Sequence, residues 1–292
     1  MTQQRLSVDS AYQACIEIAQ SHQENFPTAS LLLPEKMRPA VAAIYAFART
    51  ADDIADEGSM ASSERMHQLD AWEALLNRCD QQPVEHPIFL ALGDTIEKFQ
   101  LDKDDLVDLL TAFRMDTQMR HYYTWDDLHF YCKHSANPVG RLMLALYGIR
   151  DAKALQASDA ICTALQLANF WQDLSIDLPR GRCYLPTNLL NQHQITWREL
   201  QNDGVDNATF QRLLQQAIAH TQQLFDQGWL LLPMLPWRLR LQISATLHGG
   251  LAILAQVRQS TDPLHRRPQL HTRRWIMMTP SIIWRCFSQP SL

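Results

Sequence analysis

Apolar residues recur three and four positions apart along most of this chain, whereas runs that alternate apolar and polar residues are missing. That spacing is typical of helices that bury one face, and it predicts an all-α protein. The pattern predicts helices over 7–23, 35–58, 62–79, 86–99, 103–119, 125–147, 152–178, 207–232, 237–259 and 272–287. Pro138 lies inside the sixth of these segments, so that helix should start or kink there.

The composition favours one helical domain. Of 292 residues, 46% are hydrophobic and only 9 are Gly, which is enough apolar material for one large domain or two small ones. No low-complexity linker and no internal repeat divides the chain. We therefore predict a single domain over 1–292, with 270–292 as a basic, aromatic C-terminal tail.

The sequence predicts a cytoplasmic protein. Its first ten residues are polar and lack the apolar core of a signal peptide. No apolar run reaches the roughly 20 residues that a membrane-spanning helix needs. The six cysteines are scattered without a C-x-x-C pair, so neither a zinc site nor a disulfide framework is indicated.

The net charge of −5 hides an asymmetry between the two ends of the chain. Residues 237–292 hold eight Arg, no Lys and one acid, a net charge of +7, which leaves −12 for the remainder. Two interpretations of the basic tail stay open: peripheral contact with the inner face of an anionic membrane, or a last helix packed on the body. An acidic chain without a recognition motif is a poor fit to nucleic acid.

A cluster of acids stands at the end of a mostly apolar helix, in "ARTADDIADE" from Ala48 to Glu57. Asp52, Asp53 and Asp56 fall within one turn, where like charges and the poor helix propensity of Asp are destabilising. Acids at a helix C-terminus also oppose the helix dipole. The cluster is either a solvated helix end before a Gly cap or a set of oxygen ligands for Mg²⁺.

A second acidic cluster repeats the spacing, because Asp177 follows Asp173 by four residues. On one continuous helix, Gln166, Asn169, Asp173 and Asp177 would form a single stripe. Two helices that each carry D-x-x-x-D suggest facing carboxylates, which would repel each other unless cations lie between them.

Arginines near both clusters extend this interpretation. Arg49 precedes the first cluster, and Arg180 and Arg182 follow the second. Mg²⁺ is commonly shared between carboxylates and substrate phosphates, and Arg is a suitable phosphate partner. We therefore predict a magnesium–diphosphate site in an apolar, aromatic-lined cavity, where the metal assists departure of diphosphate and aromatic faces shelter a carbocation.

The segments "YAFARTADDIAD", "QLANFWQDLSIDL" and "RGRCYLP", in that order, resemble the squalene/phytoene synthase family. The resemblance covers about Ala11 to Pro268 and implies an isoprenoid (prenyl) synthase helical fold with one central cavity, prenyl diphosphate substrates, and two or three Mg²⁺ ions bound with diphosphate. The metal-binding residues that it implies are Asp52, Asp53, Asp56, Asn169, Asp173 and Asp177. The implied substrate-binding residues are His22, Arg49, Gln166, Asn169, Arg180, Arg182 and Tyr184, and Tyr45 lines the site.

The chain departs from condensing family members at several positions. Lys133 and His134 stand where a Tyr is expected, Asn137 precedes Pro138 in place of a Gly, and His248 replaces a common Tyr. These polar changes resemble one branch, the bacterial hydroxysqualene synthases of hopanoid pathways, which convert presqualene diphosphate and water to hydroxysqualene and diphosphate. We expect Lys133, His134, Asn137, His248 and Tyr45 to be catalytic. Taken singly, Lys133, His134, Asn137 and His248 also have ordinary structural explanations. Lys133 and His134 could be an exposed pair, Asn137 could begin a helix, and His248 could be a hydrogen-bonded core residue.

Two other functions stay open. One is the condensation of two prenyl diphosphates to presqualene diphosphate, squalene or a phytoene-type product. The other is a non-catalytic isoprenoid-binding or assembly protein, in which eroded acidic pairs would be expected, although both pairs are complete here. No G-x-G-x-x-G motif is present, and no NADPH is expected for a reaction without hydride transfer.

Overall fold

Helices account for the regular structure of this chain in the computed structural model, which describes residues 6–21, 33–81, 84–118, 121–202, 204–269 and 278–283. No β-strand occurs among these residues, so the predicted all-α class is confirmed. The chain groups into two compact units, Met1–Gln118 with Pro138–Arg150, and Met119–Asn137 with Asp151–Leu292. The assignment of 1–292 to one catalytic domain stays a prediction.

Among the described residues, the first unit contains six helices. They are α1 (Val8–Ser21), α2 (Arg38–Asp56), α3 (Ser62–Arg78), α4 (Pro87–Phe99), α5 (Lys103–Asp116) and nearly all of α7 (Asn137–Leu146). Helix α2 packs against α1 and α4 through small buried residues such as Ala43, Ala46 and Ala51. Phe47 on the same side meets Phe89 edge to face, with ring centroids 6.0 Å apart. This packing orders the helix whose last turn carries the first acidic cluster.

The second unit contains the remaining helices. They are α6 (Trp125–Ser135), α8 (Ala152–Gln172), α9 (Leu174–Asp177), α10 (Thr187–Gln192), α11 (Trp197–Gln201), α12 (Asn207–Gly228), α13 (Trp237–Gln259) and the short helix α14 (278–283). Helices α8 and α12 pack closely, and Trp171 Nε1 donates to Thr221 Oγ1 at 2.8 Å in their buried contact. A Cβ at Gly228 would lie 2.4 Å from Ile161 Cγ1, so this approach requires glycine.

Side-chain caps explain where several helices begin. Thr124 and Asp127 form a capping box at α6, and Asp151 accepts from the backbone N–H groups of Lys153 and Ala154 at α8. These caps satisfy N–H groups that have no partner within the helix. The predicted interruption near Pro138 is confirmed, since α6 ends at Ser135 and α7 begins at Asn137. The short helices α10 and α11 were not predicted, because five or six residues give too little periodicity.

The C-terminal tail lies only partly within the described residues, which include 278–283 of the predicted 270–292 segment. In that stretch Ile282 is buried, and its carbonyl oxygen accepts from Ser244 Oγ at 3.1 Å. This contact is what a packed last helix requires. No helix in the described part of the chain combines the length and apolarity needed to cross a bilayer.

Candidate active site

The first acidic cluster occupies the last turn of α2. Arg49, one turn earlier, places Nη1 3.2 Å from Asp52 Oδ2 and Nη2 2.6 Å from Asp53 Oδ1. The same Nη2 lies 2.7 Å from Glu57 Oε1, an acid that the sequence pattern did not single out. One guanidinium therefore forms ion pairs with three carboxylates, and Asp56 adds a fourth negative charge within the same turn.

The cluster is short of positive charge. Burial raises the pKa of the Asp52 carboxyl, Arg49 lowers it, and the neighbouring acids Asp56, Asp53 and Glu57 raise it again. A raised pKa means that the ionised carboxylate is disfavoured where it stands. Binding of a further cation would relieve that cost, and carboxylate oxygens are the ligands that Mg²⁺ prefers.

Arg65 orders the chain immediately after this cluster. The side chain is buried on α3, and its three nitrogens donate to the carbonyl oxygens of Ile54 at 2.7 Å, Gly58 at 2.8 Å and Met60 at 3.2 Å. Gly58 has a φ of +76°, which favours glycine. Arg65 thus satisfies carbonyls that the end of α2 and its loop leave without helical partners. No sequence signal indicated this role, since Arg65 lies in an ordinary helical pattern.

The second acidic cluster is built differently from the prediction. Helix α8 ends at Gln172, and Asp173 is its C-cap with φ −97° and ψ 11°, so the predicted continuous helix over 152–178 is wrong at this point. The short helix α9 resumes at Leu174, and Asp177 N still donates to Asp173 O at 2.9 Å. The two aspartates therefore keep helical spacing across the break. Asp has low helix propensity, which makes it a plausible site for the interruption.

An arginine distant in sequence contacts this cluster. Arg267 forms an ion pair with Asp173, and its Nη2 lies 3.3 Å from Asp173 Oδ2. The neighbouring Pro268 accepts a hydrogen bond from Gln172 Nε2 at 2.7 Å. The segment after α13 thus returns to the end of α8. A separation of 94 residues explains why the sequence pattern missed this pair.

The arginines predicted beside Asp177 are close enough to affect it. Burial raises the pKa of the Asp177 carboxyl and Asp173 raises it further, while Arg182, Arg180 and Arg267 lower it. The backbone N–H of Arg182 also donates to the backbone carbonyl of Asp177 at 2.9 Å. Carboxylates and guanidinium groups therefore stand together here, as a site for a metal-bound phosphate requires.

Aromatic rings follow directly after Arg182. Tyr184 stacks on Phe170 with ring centroids 3.7 Å apart and an interplanar angle of 4°. Tyr122 and Tyr131 lie 5.9 Å and 6.1 Å from the Tyr184 ring. Tyr184, which the family resemblance implies to be substrate-binding, therefore has its ring within an aromatic group. Such π-faces are suited to stabilise positive charge.

Two of the polar candidates at the α6–α7 junction are buried. His134 Nδ1 lies 2.7 Å from the Phe130 carbonyl oxygen, and Asn137 Oδ1 accepts from Thr163 Oγ1 at 2.9 Å. Because a carbonyl can only accept, Nδ1 carries the hydrogen, and a neutral ring presents Nε2 as an acceptor. Lys133, by contrast, is exposed.

The remaining candidates lie on other helices. His248 Nδ1 is 2.8 Å from the Ser244 carbonyl oxygen, so its neutral ring also presents Nε2 as an acceptor. Tyr45 on α2 is half-buried, and burial raises the pKa of its hydroxyl. Gln166 and Asn169 lie on α8, where Asn169 is exposed. His22 lies outside the described residues.

The donor chemistry suits magnesium shared with a phosphate better than an all-protein cage. Within the described segments, no three His, Cys, Asp or Glu side chains are grouped so that they could hold one metal ion. Mg²⁺ is usually bound through one or two carboxylates with waters and substrate phosphates, so it does not need such a group. Each acidic cluster by itself offers that number of carboxylates.

Comparisons with a family model, with known sequences and with solved structures all find squalene- or phytoene-type synthases. The family model for squalene/phytoene synthase matches residues 19–275. A hydroxysqualene synthase from Rhodopseudomonas palustris is 33% identical over 273 residues, which cover 91% of each chain. A 15-cis-phytoene synthase from Synechococcus elongatus is 29% identical over 292 residues, covering 96% of this chain and 94% of the relative. The crystal structure of squalene synthase HpnC from Alicyclobacillus acidocaldarius is 37% identical and superposes with a TM-score of 0.82, covering 87% of this chain and 95% of that one.

Proposed function

The chain belongs to the squalene/phytoene synthase family, and on that premise we propose that it is a hydroxysqualene synthase. The reaction would convert presqualene diphosphate and water to hydroxysqualene and diphosphate, within squalene and hopanoid biosynthesis. The observation that carries the proposal is the burial of His134 and Asn137, two polar residues that stand where the family resemblance leads us to expect Tyr and Gly in condensing members. The similarity to hydroxysqualene synthases and to an HpnC structure supports the same assignment.

Departure of diphosphate is assigned to the two acidic clusters. In the first unit, Asp52, Asp53 and Asp56 at the end of α2 would hold Mg²⁺. In the second unit, Asp173 and Asp177 with Asn169 would do the same. The family resemblance implies two or three ions in all, bound with diphosphate. When bound, Mg²⁺ neutralises charge on the leaving group. Arg180 and Arg182 would bind the diphosphate oxygens, because both lie close enough to Asp177 to lower the pKa of its carboxyl, and guanidinium groups are suitable phosphate partners.

Arg49 has a second task in this proposal, besides the substrate contact that the family resemblance implies. Its guanidinium is already paired with Asp52, Asp53 and Glu57. In this proposal Arg49 keeps the carboxylates ionised and oriented before the substrate binds. Diphosphate then accepts hydrogen bonds from other N–H groups of the same guanidinium.

Water capture completes the reaction. The C–O bond to diphosphate breaks with its electron pair on the leaving oxygen, and the resulting cyclopropylcarbinyl cation rearranges. The oxygen of a water molecule then bonds to the cationic carbon, and the water loses one proton. Holding that water in an apolar surrounding needs two or more polar partners, which His134 and Asn137 would supply. His134 Nε2 accepts the proton, because Nδ1 already donates to Phe130.

Lys133 and His248 have smaller parts in this proposal. An exposed ammonium at Lys133 would oppose a nearby carbocation, so we assign Lys133 no contact with the reacting carbons. His248 offers the same acceptor geometry as His134 and is the alternative proton acceptor. No hydride enters or leaves in this scheme, so NADPH is not required.

A second function, the condensation of two prenyl diphosphates, is supported by the similarity to a phytoene synthase over nearly the whole chain. Purified protein incubated with presqualene diphosphate, and separately with farnesyl diphosphate, distinguishes the two. An alcohol from presqualene diphosphate alone supports the first function. Turnover of farnesyl diphosphate, with no alcohol from presqualene diphosphate, supports the second.

The cellular setting follows from the same proposal. We place the protein in the cytoplasm, with peripheral contact to the inner face of the membrane as the tail interpretation that remains to be tested. The buried contact of Ile282 with Ser244 favours packing of 278–283 on the body, so any membrane contact by the tail would rest on other residues.

A further inference from the structure

An exposed apolar turn joins α12 to α13. The chain forms a 3₁₀ helix over Trp229–Met234 and enters α13 at Trp237. Leu230 is 59% exposed, Met234 41% and Trp237 60%. Leucines interleaved with them are buried, namely Leu231, Leu232, Leu235 and Leu239. The buried leucines anchor the turn and leave the other apolar side chains directed outward; we name Leu230, Met234 and Trp237 the apolar turn.

Such a concentration is unusual on a protein surface. Single exposed apolar residues are common and need no explanation. Three large ones within eight residues, with the exposed prolines Pro233 and Pro236 between them, form a local patch of the kind that marks an interaction site.

Several carbonyl oxygens of this turn already accept hydrogen bonds. Arg240 Nη2 donates to the carbonyl oxygens of Pro233 at 3.3 Å and Leu235 at 2.9 Å. The Leu232 carbonyl accepts from Leu235 N at 3.2 Å, and the Pro236 carbonyl accepts from Arg240 N at 2.9 Å. The two prolines have no N–H to satisfy. These carbonyl oxygens can therefore leave water without losing their hydrogen bonds, which favours contact of the turn with an apolar environment.

The positive charge near the turn indicates which kind of partner it binds. Arg238 is exposed, and its guanidinium lies 5.3 Å from the Trp237 ring centroid. The sequence has no Asp or Glu between Asp226 and Asp262. Tryptophan at an interface with neighbouring arginine is typical of surfaces that meet the headgroup region of a bilayer.

From these observations we infer that the apolar turn docks this protein on an anionic lipid surface. Leu230, Met234 and Trp237 would enter the boundary between headgroups and acyl chains, while Arg238 pairs with lipid phosphates. This surface is distinct from the 270–292 tail, and the inference does not rest on the proposed reaction.

The test is co-sedimentation of the full chain with vesicles of phosphatidylglycerol and phosphatidylcholine, and with phosphatidylcholine alone. Wild type should bind the anionic vesicles and be released by salt, because surface attraction is screened. Replacing all three residues of the apolar turn with Gln should weaken binding by about tenfold or more. Arg238→Gln alone should weaken it by about fivefold.

Two controls make the result specific. Tyr123 is 68% exposed in the same unit, and Tyr123→Gln should leave binding unchanged. A full-length variant with Arg273, Arg274 and Arg285 replaced by Gln tests the tail and should keep most of the binding. Circular dichroism and the melting temperature should be unaltered in the triple variant, because the replaced side chains of the apolar turn lie at the surface. The same two measurements are made on the other variants.

The inference is overturned if the triple variant binds as wild type does, or if wild type stays in the supernatant with anionic vesicles. It is also overturned if light scattering shows a dimer of wild type that the triple variant loses, since the turn would then be an interface between two copies. Loss of binding in the tail variant alone assigns the docking to the tail instead.

Discussion

Arg267 pairs with Asp173 across 94 residues of sequence, and its Nη2 lies 3.3 Å from Asp173 Oδ2. The arginine therefore occupies a carboxylate that is assigned to magnesium in the proposed function. Any cation that binds Asp173 must compete with this guanidinium or share the carboxylate with it.

The first prediction concerns that competition. Arg267→Gln should lower the Mg²⁺ concentration that half-saturates the substrate-free protein by about two- to fivefold, because a partly exposed ion pair no longer has to be displaced. Titration calorimetry without substrate gives this value directly. Arg266→Gln is the matched control, since Arg266 is adjacent and exposed. An unchanged or higher Mg²⁺ requirement in Arg267→Gln would contradict the interpretation.

The second prediction concerns Arg65, a positioning residue for the end of α2. Arg65→Lys keeps the charge, but one ammonium nitrogen cannot take the positions of the three guanidinium nitrogens that contact three separate carbonyls, so the loop from Ile54 to Met60 should lose its order. The half-saturating Mg²⁺ concentration for activity should rise by roughly tenfold. Arg114→Lys is the control: Arg114 pairs with Asp70 and Glu73 instead of the α2 loop.

Loss of stability alone does not distinguish these two arginines, so the Mg²⁺ dependence decides. If both variants melt earlier and neither shifts the Mg²⁺ requirement, Arg65 is structural only. A shift in Arg114→Lys equal to that in Arg65→Lys would lead to the same conclusion.

The third prediction concerns Asp52 and Asp173, whose replacement should affect the melting temperature differently. The raised pKa of Asp52 means that the folded protein binds this proton more tightly than the unfolded chain does. The associated stability is present below the ordinary pKa and is lost as the pH rises through the raised value, so ionised Asp52 destabilises the fold at neutral pH. Asp52→Asn should therefore raise the melting temperature of the metal-free protein.

Activity should move in the opposite direction. Asp52→Asn and Asp173→Asn should each lower turnover on the order of a hundredfold or more, because a metal-binding carboxylate is lost. Asp173→Asn should not raise the melting temperature, since it also removes the partner of Arg267. Full activity of both variants, or of wild type in EDTA, would rule out the magnesium site.

The fourth prediction concerns a pair of histidines outside the candidate site. His129 and His220 place their Nε2 atoms 2.9 Å apart, and Trp125 stacks on His220 at 4.0 Å. Burial lowers the pKa of both rings, to about 4 for His220, where the neighbouring His129 also contributes. Between the ordinary pKa of 6.5 and about 4, the unfolded chain binds more protons than the folded protein.

Stability should therefore fall as the pH decreases through that window. Urea unfolding across this range should show a loss of about 1 kcal/mol attributable to His220, discounted for the solvent that reaches a half-buried ring. His220→Gln should flatten the dependence, whereas His193→Gln, in the same unit, should not. An identical slope in wild type and His220→Gln would refute the assignment.

The helical fold was predictable because long amphipathic segments dominate the sequence. The segment 35–58 became α2 (Arg38–Asp56) with small errors at its ends, and the interruption at Pro138 followed from the missing N–H of proline. The prediction of one helix over 152–178 failed at Asp173. The helical spacing of apolar residues continues through this position, but the Asp173 backbone is not helical. The spacing of apolar residues indicates which face of a helix is buried. It does not indicate where a single capping residue ends the helix.

The candidate site was predictable only where its residues are close in sequence. The acids around Asp52 and Asp173 stand in short motifs, so their spacing was visible. Arg267 and Arg65 were missed because their partners are defined by folding: one pairs across 94 residues, and the other binds backbone carbonyls that carry no side-chain signature.

The central claim is that water ends the reaction, and product analysis in H₂¹⁸O tests it most directly. With presqualene diphosphate and Mg²⁺, and without NADPH, wild type should release an alcohol that carries ¹⁸O. His134→Phe should release diphosphate but yield less alcohol and more elimination product, because the buried acceptor for the water proton is lost. An alcohol without ¹⁸O, or a hydrocarbon product formed only when NADPH is added, would contradict the claim.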